Sequence, residues 1–288
     1  MNKYPSDFQY IQTNGIQLHV ALAGPEDGVP IILLHGFPEY WAGWKNQIPA
    51  LAEAGYRVIV PDQRGYNLSD KPKSVRDYDI DQLALDIVGL VDHFGYEKVH
   101  LAGHDWGAAV AWWLGIHHSE RFHRIGILNV PHLSVMRRHM LTSIKQTLKS
   151  WYIFFFQVPK LPEQVFKRKG GQTGLDMFRT TSNPGSFSDK ELKGYANSWA
   201  QPGCPTGMIN WYRAMMKRVA QKQTKERVSL PVVIIWGTKD HVLGFEMAEP
   251  SLAYCDDGRI ERIDHATHWV QHDAAAEVNR ILLEFFSN

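Results

Sequence analysis

The sequence predicts a doubly wound α/β domain on a mostly parallel sheet, with a helical segment inserted between two late strands. Three observations carry this. Short, largely apolar runs recur along the chain, and runs apolar on both faces suit parallel strands covered by helices on each side. Helical patterns lie between them, the clearest from Ile80 to Phe94. The alternation fails between about Pro131 and Arg227, then resumes with another buried strand beginning at Pro231.

Taken in order, residues 8 to 23 read as a hairpin. Phe8-Gln9-Tyr10-Ile11-Gln12 and Ile16-Gln17-Leu18-His19-Val20 flank Asn14-Gly15, a pair that favours a tight turn with positive φ. Ile31-Ile32-Leu33-Leu34 predicts the first buried strand, and Tyr56 to Val60, Val99 to Ala102, Ile125 to Val130 and Val232 to Trp236 follow it. A further β-like run covers Arg259 to Ile263. Between strands, Ile80, Leu83, Ala84, Ile87, Leu90, Val91 and Phe94 fall on one face of a helix. The exceptional stretch carries helical and irregular segments, Gly/Pro breaks at Gly170-Gly171 and Pro202-Gly203, and many aromatics. The expected organisation is a core of residues 1–131 and 228–288, with a helical lid over 132–227.

Of the 288 residues, 44% are hydrophobic and 21% charged, as in an ordinary globular protein that needs no bilayer. A formal charge of +1 leaves no net basic footprint for a phosphate backbone, which sets nucleic acid aside as a partner. Two distant cysteines, Cys204 and Cys255, suit neither a disulfide framework nor a metal site. Met1 to Asp7 has no apolar stretch that could act as a signal peptide, and the most apolar run, Trp151 to Phe156, is far too short to span a bilayer. The expectation is a cytoplasmic protein without integral membrane contact.

The chemistry centres on Gly103-His104-Asp105-Trp106-Gly107, which follows a strand and opens a helix. That is the context of a nucleophile elbow, in which small flanking residues permit a tight, strained turn that lifts the central side chain above the sheet. The central residue here is Asp105. A carboxylate is ionised at neutral pH, so it needs no base to become a nucleophile, and it can attack a strained saturated carbon to form an ester. Alone, the pattern is equally a helix capped by an aspartate. Three further elements give it direction. His35-Gly36-Phe37-Pro38 directly follows the first buried strand; Trp236-Gly237-Thr238-Lys239-Asp240 ends the late one; and Thr267-His268-Trp269 comes after the next β-like run. Nucleophile, acid, histidine is the chain order of the α/β-hydrolase fold, whose loop after the first strand lends one backbone N–H to an oxyanion hole. In that reading Phe37 and Trp106 supply the two N–H groups, Asp240 orients His268, and His268 deprotonates a water. Each piece also has a plainer reading, as a strand-ending turn, a turn aspartate or a structural histidine among the 14 in the chain.

Together these motifs resemble the epoxide hydrolases of the α/β-hydrolase fold. His35-Gly36-Phe37-Pro38-Glu39-Tyr40-Trp41 is similar to their oxyanion loop, and Asp62-Gln63-Arg64-Gly65-Tyr66, Gly103 to Gly107, Trp236-Gly237-x-x-Asp240 and His268-Trp269-x-Gln271 are similar to other family motifs. The last of these selects His268 over the neighbouring His265 and His272. The resemblance runs from about Phe8 to Phe286. It implies two lid tyrosines that hold and protonate the epoxide oxygen. The matching segments, Tyr152 to Gln157 and Asn210-Trp211-Tyr212-Arg213, assign that role to Tyr152 and Tyr212, with Phe155 alongside Phe37 and Trp106 as substrate-contacting residues. The implied reaction is addition of water to an epoxide through an aspartyl ester, giving a vicinal diol, with no metal or organic cofactor.

Two other readings stay open at this level. Haloalkane dehalogenases share an Asp nucleophile followed by Trp, but Phe37 stands where many of them carry a halide-binding Asn; fluoroacetate dehalogenases would show Arg in place of Trp106. A hydrolase scaffold used only for binding is the third reading, and an intact nucleophile, acid and base speak against it. The basic runs Arg137-Arg138, Lys167-Arg168-Lys169, and Lys217-Arg218 through Lys225 and Arg227 could approach an anionic membrane. A solvated lid surface is the plainer reading, because acidic residues balance them over the whole chain.

Overall fold

The structure, a computed structural model, describes residues 5–142, 149–218 and 227–287. The hairpin forms first: β1 (Asp7–Thr13) pairs antiparallel with β2 (Ile16–Ala23), and Asn14 and Gly15 take φ of 45° and 76° between them. Six more strands follow: β3 (Val29–Leu34), β4 (Tyr56–Pro61), β5 (Val99–His104), β6 (Phe122–Leu128), β7 (Val228–Gly237) and β8 (Cys255–Ile263). Their order is β1-β2-β4-β3-β5-β6-β7-β8, with every pair from β4 onward parallel.

Wholly apolar strands have a direct explanation. Side chains alternate across a strand, so Ile32 and Leu34 enter the core on one face while Ile31 and Leu33 enter the core on the other. The first face is covered by α2 (Ile80–His93) and α3 (Trp106–His117), the second by α1 (Gln47–Glu53) and the C-terminal helix Ala275–Ser287. The late strand begins at Val228, three residues ahead of the expected Pro231. Its register against β8 shifts between those two residues, as an imino acid with no N–H to donate requires.

β6 and β7 are adjacent in the sheet, Ile125 opposite Val232, although about a hundred residues separate them. The described part of that connection is helical: α4 (Leu133–Thr142), α5 (Trp151–Phe155), α6 (Glu163–Lys167), α7 (Gln172–Thr181), α8 (Asp189–Trp199) and α9 (Cys204–Arg218). Ser188 and Glu191 form a reciprocal capping box on α8. Trp199, buried, donates its indole N–H to the Pro38 carbonyl at 2.7 Å, tying these helices to the loop after β3. Lys225 lies outside the described residues. No described helix is long and apolar enough to cross a membrane.

Candidate active site

Asp105 stands between β5 and α3 with φ 48° and ψ −122°, a conformation that non-glycine residues rarely hold. The flanking glycines make the turn possible. A Cβ on Gly103 would lie 2.3 Å from the Gly107 carbonyl oxygen, and one on Gly107 would lie 2.1 Å from that of Leu34. Asp105 does not cap its helix through its side chain. Instead Oδ1 accepts the Phe37 N–H at 2.8 Å, and Oδ2 faces His268 Nε2 at 3.4 Å. Burial raises the Asp105 carboxyl, but bonds and charge from His268, with the Phe37 N–H, hold it below its ordinary value.

His268 Nδ1 is 2.7 Å from Asp240 Oδ2. Burial alone would lower the imidazole pKa; the Asp240 and Asp105 carboxylates outweigh it and push the pKa up to about 10. In the resting site His268 therefore carries its proton between two carboxylates. Asp240 is fixed in turn by the N–H groups of Val242 and Leu243 on Oδ1, at 2.6 and 2.8 Å, and by Asn129 Nδ2 on Oδ2 at 2.7 Å. The rival histidines lie elsewhere: His265 is exposed beside Glu277, and His272 is buried against Glu39.

Two supports were not anticipated. Asn129, just past β6 at φ 55°, binds Asp240 with its amide nitrogen and accepts the Gly237 N–H on its oxygen at 3.1 Å, clamping the ends of two strands together. Nothing in a single sequence distinguishes that asparagine from a turn residue. Glu39, fully buried, gathers Tyr195 Oη at 2.9 Å, His272 Nε2 at 2.8 Å, Gln271 Nε2 at 3.1 Å and His104 Nδ1 at 3.2 Å. Burial pushes its carboxyl up, yet these histidines hold it well below the usual carboxylate range. His104 then reaches the His268 carbonyl at 2.8 Å, so the base rests on this network from below. Glu39 and Gln271 both stand in recognisable motifs, which was the signal available.

The loop that presents Phe37 is braced by the Asp62-Gln63-Arg64 segment. Gln63 donates its backbone N–H to His35 Nε2 at 3.0 Å, Asp62 accepts the Trp41 N–H at 2.9 Å, and Arg64 pairs with buried Asp86. Trp106 opens α3, so its N–H has no acceptor within the helix and is left beside Asp105.

Above Asp105 lies a cavity of about 720 Å³, lined by Asp105, Trp106, Tyr152 and Tyr212 with apolar neighbours such as Trp113 and Leu133. Tyr152 comes from α5 and Tyr212 from α9, and their rings meet edge-on at 5.8 Å. Burial raises both phenols far above the ordinary tyrosine value. The Trp106 ring meets Tyr212 edge-on at 5.1 Å, and the Tyr212 ring meets Phe37 edge-on at the same distance. The Phe37 ring packs behind Tyr212 against Phe156 and Phe166, and Phe155 packs against Trp151 and Phe156; neither ring lines this cavity, whereas Phe154 does. In a run of three phenylalanines on one short turn of helix, no pattern marks which ring faces inward. Among the described residues no group of His, Cys, Asp or Glu has the arrangement to hold a metal ion.

A doubly wound sheet with an acid at a strained elbow, backed by a histidine and a second acid after β7, defines an α/β hydrolase. The family model for the alpha/beta hydrolase fold matches residues 29–275. The chain is 45% identical to the AB hydrolase superfamily protein YfhM of Bacillus subtilis, over 97% of this chain and 98% of that protein. It is 36% identical to epoxide hydrolase 1 of Caenorhabditis elegans, over 98% of this chain and 70% of that one. A crystal structure of Bacillus megaterium epoxide hydrolase with an inhibitor superposes with a TM-score of 0.89 at 28% identity, covering 97% of this chain and all of the other. The chain belongs to the α/β-hydrolase fold family, on its epoxide hydrolase branch.

Proposed function

We propose that the protein hydrolyses epoxides to vicinal diols through a covalent ester on Asp105. The observation that carries this is one apolar cavity bordered by a hydrogen-bonded carboxylate and by two phenols from separate helices, Tyr212 buried and Tyr152 half-buried. Residues 132–227 would act as the lid that brings those phenols over the nucleophile. The buried, unbridged Cys204 and Cys255 suit a reducing, cytoplasmic setting.

The geometry suggests which oxygen does what. Oδ1 already accepts the Phe37 N–H, so it becomes the ester carbonyl, and Oδ2 attacks the epoxide carbon. As that C–O bond breaks, Tyr152 or Tyr212 gives its proton to the departing oxygen, leaving a hydroxyl and a phenolate. A phenol is a suitable acid for so basic a leaving group, and an apolar pocket strengthens the exchange. Esterification removes the Asp105 charge, one of the two that held the proton on His268. The imidazolium then gives up that proton, which restores the phenol, and neutral His268 is left as a base. It takes a proton from water as the hydroxide adds to the ester carbonyl. The resulting oxyanion, on Oδ1, falls to the N–H groups of Phe37 and Trp106. Collapse expels the diol and returns Asp105 to carboxylate and His268 to imidazolium, so one epoxide and one water are consumed with no net proton.

Halide release is less well served. The Trp106 ring is packed edge-on against Tyr212, and Phe37 offers only a backbone N–H. A paired assay tests the reading: diol from a styrene-type epoxide against halide from a haloalkane. Diol alone is expected. Halide without diol would replace the reading with dehalogenation, and neither product would favour a binding role.

A further inference from the structure

The lid carries an apolar surface that the reaction does not use. Trp151, Phe154, Val158 and Leu161 are 63, 50, 42 and 55% exposed. They fall within eleven consecutive residues at steps of three, four and three, yet account for four of the nine large apolar side chains exposed among the described residues. Scattered exposed apolar groups are normal; a cluster marks an interaction site.

The charge around this cluster is one-sided. Between Pro131 and Leu175 the sequence has eight lysines and arginines and a single acid, a formal charge of +7 in a chain whose total is +1. That one acid, Glu163, is buried and paired with Arg213 at 2.9 Å, so it neutralises nothing at the surface. Lys160 is exposed within the apolar run, and Lys167, Arg168 and Lys169, also exposed, follow it closely in the chain. Arg137 and Arg138, also exposed, line the cavity together with Phe154, and among the described residues neither forms an ion pair. The later basic run behaves differently: Arg218 pairs with Asp79 and Asp81 and stacks over Trp113. The balance of charge over the whole chain therefore hides a strongly basic, partly apolar lid face.

We propose that this face docks on an anionic lipid surface, with Trp151, Phe154, Val158 and Leu161 entering the headgroup region and the flanking cations against the lipid charge. Apolar side chains beside Lys and Arg, with a tryptophan at the boundary, are the composition of a peripheral membrane contact. A second copy of the chain is a poor occupant, because a two-fold interface would set this basic patch against itself. Phe154 and the two arginines belong both to the face and to the cavity wall, so docking would place the cavity beside the phase in which lipophilic epoxides dissolve. Only that last consequence rests on the epoxide reading; docking itself does not.

Sedimentation of the full chain with vesicles tests it. The protein should pellet with vesicles containing phosphatidylglycerol, stay in solution with pure phosphatidylcholine, and be released by high salt. Lys160→Ala should weaken binding about fivefold, and Leu161→Ser or Trp151→Ala at least about tenfold. Lys160→Ala and Leu161→Ser should keep wild-type melting and wild-type turnover of a water-soluble epoxide. Equal pelleting with both vesicle types, no pelleting, or unchanged binding by all three variants would overturn the proposal. So would a dimer in light scattering that these variants dissociate while vesicles go unbound. Because pelleting needs no turnover, failure of the epoxide reading would leave this result intact.

Discussion

Replacing His268 with glutamine should separate the two chemical steps. The side chain has two roles in the resting site, as counter-ion to Asp105 at 3.4 Å and as the protonated partner of Asp240 at 2.7 Å. Its loss weakens Asp105 as a carboxylate only in part, since the Phe37 N–H still donates to Oδ1 at 2.8 Å. One charge-assisted hydrogen bond is worth about 1.5–3 kcal/mol, so ester formation should slow by roughly ten- to a hundredfold. Ester hydrolysis loses its only base, an effect of about 10²–10⁴, while the N–H groups of Phe37 and Trp106 remain to polarise the carbonyl. The second step thus becomes the slower one, and His268→Gln should accumulate an adduct approaching one substrate mass per chain. Intact-protein mass spectrometry over a time course with a styrene-type epoxide reads this directly. Steady turnover near the wild-type rate with no adduct would refute the assigned role of His268.

Further outcomes follow from the same geometry. Tyr152→Phe and Tyr212→Phe should each slow adduct formation, by about 10–10², and the double variant should nearly abolish it; stopped-flow or rapid-quench measurement of the first step is the check. Asp240→Asn should lower kcat by about 10³–10⁴, because an amide cannot stabilise the imidazolium and would set its own N–H groups against those of Val242 and Leu243. Asn129→Ala removes the clamp between Asp240 and Gly237 and should cost about 1–3 kcal/mol of stability with a smaller loss of kcat, read by denaturant unfolding and steady-state kinetics. His268 titrates near 10 in the folded protein against 6.5 unfolded. Its contribution to stability is therefore complete below about pH 6.5 and is lost as pH rises through 10. The melting temperature should fall across that window, and His268→Gln should flatten the fall.

Much of this site was legible in the sequence because its parts obey local rules. Asn14-Gly15, the apolar strands and the Gly103–Gly107 elbow each dictate backbone shape over a few residues, and their order along the chain specified how Asp105, His268 and Asp240 would meet. Residues joined only through space were not legible. Asn129 and Glu39 act across separations of about a hundred and two hundred residues; Asn129 has no local pattern that separates a clamp from a turn, and the motif that carries Glu39 does not show which partners it meets. The run Phe154 to Phe156 shows the same limit at short range: Phe156 is the buried ring and half-exposed Phe154 borders the cavity, a division that three identical neighbours do not announce. The basic character of residues 131–175 was visible as charge runs, but only the burial of Glu163 and the pairing of Arg218 show which runs remain unneutralised.

The central claim, that Asp105 is esterified and the ester is cleaved at its carbonyl, is tested most directly by a single turnover in water labelled with heavy oxygen, using more enzyme than epoxide. If Oδ2 of Asp105 attacks the epoxide, the diol from that first turnover carries unlabelled oxygen, and the peptide containing Asp105 gains the label. Label in the diol with none in that peptide would mean that water attacks the epoxide directly, and the ester mechanism would fall.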